Sequence, residues 1–435
     1  MMLGIAIVLI GIFYLLSIKK PAVAVTGAML MFGVEQWAQS TSSIFVAKQW
    51  LANVIFIALS GLALMLTLYR RQVRLHYSQG VNKLSIVLFF YVLMSFFWTF
   101  NQRITFDVWC KEGPYVLMFV FLCPLLINSE KDVRYFLGKL ALMGTILILL
   151  ICLTSEFTYR GLALSSGPNG LKTNPLELGT LGGIVGLAIL LLNSEGIKRY
   201  LSIIKWAVFL GCIYVIVQSG SRGQFIALAA GLLIFYPISK NIANIRGFFL
   251  GSLGAITAGI IIYAIMNAYA SEGRWGVENA FANYQESRFG MVGILLSYWL
   301  TSNPIAYILG LGNSASFDQT IIGFYPHFVP IEVLTEEGLV GFAIYIAIGV
   351  ITFKHIVALR KLTKHSHIHR GCYALLGALC LYYLLISFKQ GSLLTTAPYF
   401  MIAMILERYH VILAGNQIPF YDTSPSLTNH EESSC

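Results

Sequence analysis

The sequence predicts an all-α fold: a polytopic transmembrane helical bundle of about 12–14 spans, with a long extracytoplasmic loop between spans 10 and 11. Three observations predict it. Of 435 residues, 57% are hydrophobic and only 11% charged, where a soluble domain carries about 25% charged residues. Apolar stretches near the ~20 residues needed to cross ~30 Å of hydrocarbon recur from end to end. Basic residues gather in alternate loops between these stretches, as they do in membrane proteins. So few charges exclude a string of soluble domains, and the apolar content excludes disorder. Seven cysteines are too few for a disulfide scaffold.

The first stretch, Leu3 to Ile18, is followed by Lys19-Lys20. A signal peptide carries its charges first and ends in a small-residue cleavage site, so this reads as a retained span. Further apolar stretches lie at about 21–36, 49–69, 84–100, 113–128, 135–154, 175–192, 200–218, 223–239, 247–268, 338–353, 372–388 and 395–412, which makes 13 with the first. Lipid offers the backbone no hydrogen-bond partner, so each must be a helix. Residues 1–415 form one transmembrane domain, and the Ser/Thr/Pro-bearing tail 416–435 reads as disordered.

Eighteen Lys and Arg fall on one side of this topology and nine on the other, with Lys139 and Lys205 inside spans. The richer side faces the cytoplasm. Twelve of the 19 acids fall on the outer side, so the basic balance reflects topology and anionic lipid heads rather than nucleic acid. Charges gather at span ends and in loops. Span interiors read as almost free of them apart from Lys139 and Lys205.

Five cysteines sit within spans at irregular spacing, so neither a disulfide nor a zinc site is expected. Seven of eight histidines are cytoplasmic, including His365, His367 and His369 in one basic loop. The exception is His327, in Phe324-Tyr325-Pro326-His327-Phe328-Val329-Pro330. As the one outward imidazole it is a candidate general base.

Two outer segments are long enough to build a site. One, 155–174, holds Arg160 and Ser165-Ser166-Gly167-Pro168-Asn169-Gly170; the other, 269–337, holds Arg274, Arg288 and His327. Met291 to Leu300 is apolar but only ten residues long, which suits a helix at the interface better than a span. Arg222 opens span 9 within Gly220-Ser221-Arg222-Gly223. A charge there must snorkel, pair or bind an anion, and the flanking glycines let backbone approach a ligand.

The order of these pieces resembles the bacterial O-antigen ligase and O-antigen polymerase superfamily. The matching residues are Ser221-Arg222-Gly223, Ser287-Arg288-Phe289-Gly290, Gly310-Leu311-Gly312, and His327 with Glu337-Gly338-Leu339-Val340-Gly341, over about 130 residues. Phe328 departs from the Asn that often follows the family histidine. The resemblance implies an inner-membrane, metal-independent and cofactor-free glycosyltransferase with a periplasm-facing cleft. Its donor would be a glycan on undecaprenyl diphosphate. Its acceptor would be a saccharide, either another lipid-linked repeat unit (polymerase, the favoured reading) or lipid A-core (ligase).

The residue chemistry fits that implication. A diphosphate leaving group gains negative charge as the glycosidic bond breaks. Arginine forks hold such oxygens at any working pH, and a well-aimed donor contributes on the order of 3–4 kcal/mol to the transition state. Arg222 and Arg288 are assigned to the diphosphate, with Arg274 and Arg160 as further substrate-binding candidates. His327 takes or orients the acceptor proton, and Glu332 is a candidate to hold its imidazole. The rival class is a polysaccharide or lipid transporter, which would place ionisable groups near the midplane on broken helices.

Overall fold

The structure, a computed structural model, describes residues 2–48, 50–70, 80–157, 165–166, 171–172, 174–193, 199–242, 244, 246–250, 252 and 288–417. It is overwhelmingly helical. The helices are α1 (Met2–Lys19), α2 (Ala22–Thr41), α3 (Ser43–Ala47), α4 (Trp50–Tyr69), α5 (Gly80–Met94), α6 (Gln102–Val116), α7 (Glu130–Thr154), α8 (Pro175–Leu191), α9 (Arg199–Gln218) and α10 (Arg222–Lys240). They continue as α11 (Arg288–Leu300), α12 (Pro304–Leu309), α13 (Val329–Glu336), α14 (Gly338–Leu362), α15 (His367–Ser387) and α16 (Ala397–Gln417). One two-residue antiparallel hairpin pairs Ser165 with Lys172 and Ser166 with Leu171.

Among the described residues, eight helical segments are long and apolar enough to cross a membrane: Trp50–Tyr69, Gly80–Phe97, Gln102–Leu126, Glu130–Thr154, Arg222–Lys240, Gly338–Leu362, His367–Ser387 and Leu394–Gly415. The chain is thus a multi-pass membrane protein. Pro175–Leu191 and Ile203–Gln218 are shorter apolar helices. The stretch 247–268 lies almost wholly outside the described residues. So does the tail, except that α16 runs on to Gln417.

Burial sorts the helices. In α15 and α16 about three quarters of the apolar window is enclosed, against 22% in α14. The helix α2 is buried along nearly its whole length despite Glu35, Gln36 and Gln39. The outer helices expose Leu153, Leu210, Ile226 and Phe353, side chains that only a lipid environment would cover.

Close packing at the centre depends on the glycines of α8. They recur at 179, 182, 183 and 186, a spacing that keeps them on neighbouring faces. A Cβ on Gly182 would meet Cys212 O at 2.8 Å, and one on Gly183 would meet Tyr382 Oη at 2.3 Å. Small residues let helix backbones approach where lipid supplies no hydrophobic drive, and α9, α10 and α15 close around α8 this way.

The apolar run 113–128 proves to be only part of a longer element. The helix begins at Gln102, capped by Asn101, whose Oδ1 accepts from Ile104 N at 3.3 Å. Its first turns are polar (Gln102, Arg103, Asp107, Lys111, Glu112), which hydropathy alone cannot distinguish from loop. After Val116 it loosens into a π turn over Leu117–Leu122.

The reading of span interiors needs correction. Glu35, Glu177, Glu407 and Arg408 all lie inside helices assigned as spans. Glu407 and Arg408 are fully enclosed, and their partners explain why this is tolerated. The Glu407 carboxylate accepts from Val81 N and Asn82 N, each at 2.9 Å, from Asn82 Nδ2 at 2.7 Å, and pairs with His355 Nε2 at 3.0 Å. It therefore caps the start of α5 from a distant helix. Arg408 donates to Pro124 O and to Asn128 Oδ1. Taking a charge out of water is costly, and hydrogen-bond partners of this kind offset that cost.

Candidate functional site

The site residues gather at the end of the bundle where α2 and α15 finish and α6, α8, α10, α14 and α16 begin. Three bonds tie these ends together. Ser221 Oγ donates to Pro175 O at 3.2 Å, Leu393 N donates to Glu332 Oε1 at 3.0 Å, and Asn174 N donates to Gln36 Oε1. At the opposite end, Asn193 Nδ2 donates to Ser239 O and to His367 O.

Arg222 is the first residue of α10, half-buried. The turn before it, Ser219-Gly220-Ser221, passes Gly220 with φ 67° and rests on α8, where a Cβ on Gly179 would fall 2.6 Å from Ser221 Cβ. Beside Arg222 lies a second cation. Lys389, from the turn after α15, runs its aliphatic stem across Gly223 and donates from Nζ to Gln224 Oε1 at 2.9 Å. Gln224 is itself buried and donates to Gln390 Oε1 at 2.7 Å and to Leu176 O at 3.3 Å. The start of α10 thus carries two cations beside the positive end of a 19-residue helix.

The His327 segment also touches this turn, through its neighbours. Its neighbour Phe328 packs edge to face on Phe388, ring centres 5.4 Å apart. Five residues on, Glu332 holds Leu393 N. The His327 backbone is left-handed, φ 59°, an uncommon state for a residue with a side chain. Its ring meets Tyr325 at 4.4 Å and Phe324 at 6.0 Å. Pro330 in the first turn of α13 then starts a helix directly after the aromatic segment.

The Gly-Leu-Gly segment supports this corner. Leu311 N donates to Thr335 O and Gly312 N to Glu336 O, at 2.9 and 2.8 Å. Both glycines have φ near 90°, and a Cβ on Gly310 would lie 2.0 Å from Glu336 O. Gly338, φ 65°, lies against the same segment, since its Cβ would meet Gly310 N at 2.4 Å. Two of the motifs noted in the sequence are therefore one interlocked piece of backbone. The Glu336 carboxylate completes it by accepting from Ser314 N at 2.7 Å and Ser316 N at 2.8 Å.

Three buried carboxyls meet at this corner. Burial first, then the neighbouring Glu336 carboxylate, hold Glu332 well above its ordinary value. Burial raises Glu336 to about 7 against the hydrogen bonds it accepts, and burial with Glu336 raises Glu337 to about 8. Asp318, by contrast, accepts from Thr320 N and Oγ1 and from Asn101 Nδ2, and the Thr320 bonds lead in holding it below the usual carboxylate range.

Among the expected site residues, Arg222 and His327 each have chain neighbours that touch the turn after α15: Gly223 and Gln224 meet Lys389, and Phe328 meets Phe388. Arg288 opens α11, which packs against α13. Arg160 and Arg274 lie outside the described residues. Glu332 is a buried side chain of α13. Its Oε1 accepts from Leu393 N, which ties α13 to the turn after α15. Lys389, Gln224 and Gln390 were not singled out in the sequence. The available signal was Lys389-Gln390-Gly391 directly after an apolar run. Its meaning depends on contact with a helix 165 residues away.

Among the described residues no three His, Cys, Asp or Glu side chains are grouped to hold a metal ion. No family model matches the chain, and no curated protein matches it.

Proposed function

We propose that the chain is an inner-membrane glycosyltransferase that moves a glycan from undecaprenyl diphosphate to a saccharide acceptor on the periplasmic side, as a surface-polysaccharide polymerase. The reading rests on the resemblance of its short motifs and on one observation that supports it: Arg222 and Lys389 at the start of α10 share a turn with the His327 segment. The cations would take the diphosphate as it leaves, which fixed positive charge in a dry site favours. His327 would accept the proton of the attacking hydroxyl, a role that imidazole serves near neutral pH. Glu332 and Phe328 would position the histidine by tying its segment to the turn that carries Lys389.

One observation favours transport as the second reading: Glu35, Glu112 and Glu177 stand on three different helices of the bundle, α2, α6 and α8, and intramembrane carboxylates often mark substrate paths. The test is the purified chain in nanodiscs with a lipid-linked glycan, offered either a second lipid-linked unit or lipid A-core, with and without a strong chelator. Chelator-resistant extension of the lipid-linked glycan is expected. Product on lipid A-core alone would make the chain a ligase, and no product with either acceptor would reject the enzyme reading.

A further inference from the structure

At the end of the bundle opposite the candidate site, α14 and α16 finish side by side, with a groove of about 540 Å³ between them. Phe353, Lys354, Val357 and Lys361 of α14 line one wall, and His410 of α16 lines the other. Positions 354, 357 and 361 follow the spacing of a single helix face. That face looks away from the protein. Phe353 is 65% exposed and Val357 45%, and α14 is the least enclosed of the eight candidate spans. In a chain that crosses a membrane, such a face meets lipid.

The charges in the groove have no counter-charge. Lys354 lies about 12 Å along the axis from the last residue of α14, Leu362. A cation that deep on a lipid-facing helix must snorkel or pair. The ion pairs among the described residues are Arg134–Glu130, His355–Glu407 and His369–Glu130, and none includes Lys354 or Lys361. Residues 71–79, which lead into the neighbouring α5 and lie outside the described residues, contain no Asp or Glu. Glu407 is already occupied by Val81 N, Asn82 and His355. His410 adds a fixed polar wall. Its Nδ1 meets His355 Nδ1 at 3.2 Å, and His355 Nε2 meets Glu407 Oε1 at 3.0 Å. The ring is therefore held by a chain of bonds anchored in the core, with Nε2 the nitrogen left for a ligand.

We propose that this groove binds an anionic phospholipid, its headgroup phosphate held by Lys354, Lys361 and His410 and an acyl chain lying along Phe353 and Val357. The chemistry of the walls selects that occupant. A soluble anion would satisfy the lysines but leave the aromatic and aliphatic side chains uncovered. A lipid without net charge would cover those side chains but leave two cations without a counter-charge. An anionic phospholipid serves both, and basic pockets between membrane helices hold such headgroups in this way. The lysine stems lie along apolar surface while their ammonium groups reach the phosphate layer. Lipid binding at this end does not depend on the reaction proposed for the other.

The test is native mass spectrometry of the full chain released from detergent micelles, titrated with dioleoyl phosphatidylglycerol or dioleoyl phosphatidylcholine. The chains of the two lipids are identical, so any difference reports the headgroup. Wild type should retain phosphatidylglycerol the more tightly. Lys354→Gln and Lys361→Gln should each weaken that binding about fivefold, the worth of one basic residue at the headgroup layer, and leave phosphatidylcholine unchanged. Arg360→Gln removes the same charge from an exposed position of α14 that does not line the groove, and it should change neither. Val357→Trp fills the groove with every charge intact and should weaken both lipids. Equal binding of the two lipids by wild type would overturn the proposal, as would an Arg360→Gln effect as large as that of the lysine variants. The same spectra report the other occupants. A chain dimer lost in Val357→Trp would put a second copy in the groove. Phosphatidylglycerol binding strengthened by joint Asp422→Asn, Glu431→Gln and Glu432→Gln would put the acidic tail there. Either result would also overturn it.

Discussion

Lys389 lies so close across Gly223 that a Cβ on the glycine would stand 2.0 Å from the lysine's Cδ. The bare α-carbon is what lets a cation from the far end of α15 settle beside Arg222. Gly223→Val should therefore displace Lys389 without touching its charge. Under the proposed reaction, the donor KM should rise about tenfold, the worth of one charge-assisted bond to phosphate. Lys389→Met should match it, and Lys389→Arg should recover part of the loss. Donor kinetics indistinguishable from wild type in all three would leave Lys389 a packing residue.

The arginines separate charge from shape. Arg222→Lys and Arg288→Lys keep the charge but lose the planar fork, so transfer should fall about tenfold, and further with alanine. Initial rates against donor concentration would measure this. Lysine variants as active as wild type at both positions would reduce them to electrostatic anchors.

The carboxyl corner predicts a pH dependence of stability. Glu336 and Glu337 are held up to about 7 and 8, chiefly by burial, so the folded chain keeps protons that the unfolded chain releases near 4.5. Their contribution is full below the unfolded value and is lost as pH rises through about 7–8. Asp318, held low by Thr320, acts oppositely, and its contribution fades as pH falls through its depressed value. Thermal unfolding in nanodiscs should show Tm falling between pH 6 and 8.5, and Glu337→Gln should flatten that fall. An unchanged slope in the variant would mean that Glu337 does not carry it.

Much of the architecture is legible in the sequence because a membrane imposes a length. Runs such as 49–69 and 135–154 are apolar over the thickness of the hydrocarbon, and α4 and α7 follow them closely. The start of α6 is not legible, because three polar turns from Gln102 resemble a loop until the Asn101 cap is seen. Glu35, Glu177 and Glu407 escaped notice because hydropathy averages one charge into twenty apolar neighbours. Their tolerance depends on partners from other helices, such as Asn53 and Val81. The site divides the same way. His327 and Arg222 stand out as lone charges of their kind in outer turns. Lys389 acquires its place only from tertiary contact, as does the meeting of Gly310 with Gly338.

His327 separates enzyme from transporter most directly. Its left-handed backbone, φ 59°, and its ring contact with Tyr325 fix the imidazole on a short segment held by Phe328 and Glu332. If the imidazole takes the acceptor's proton, His327→Ala should lower the transfer rate by ~10²–10⁴-fold, the usual worth of a positioned acid–base group. Donor KM should stay near wild type, because Arg222 and Lys389 remain. The wild-type rate should also fall at acid pH, since imidazolium cannot accept a proton. His327→Asn gives the left-handed backbone a side chain that tolerates it but supplies no base, so it should fold well and stay slow. A transporter predicts no glycan transfer by purified protein, with or without the histidine. Product from the wild type and as much from His327→Ala would make the residue structural. In that case the proton must go elsewhere, and the raised carboxyls of Glu332 and Glu337 at the same corner would be the next groups to substitute.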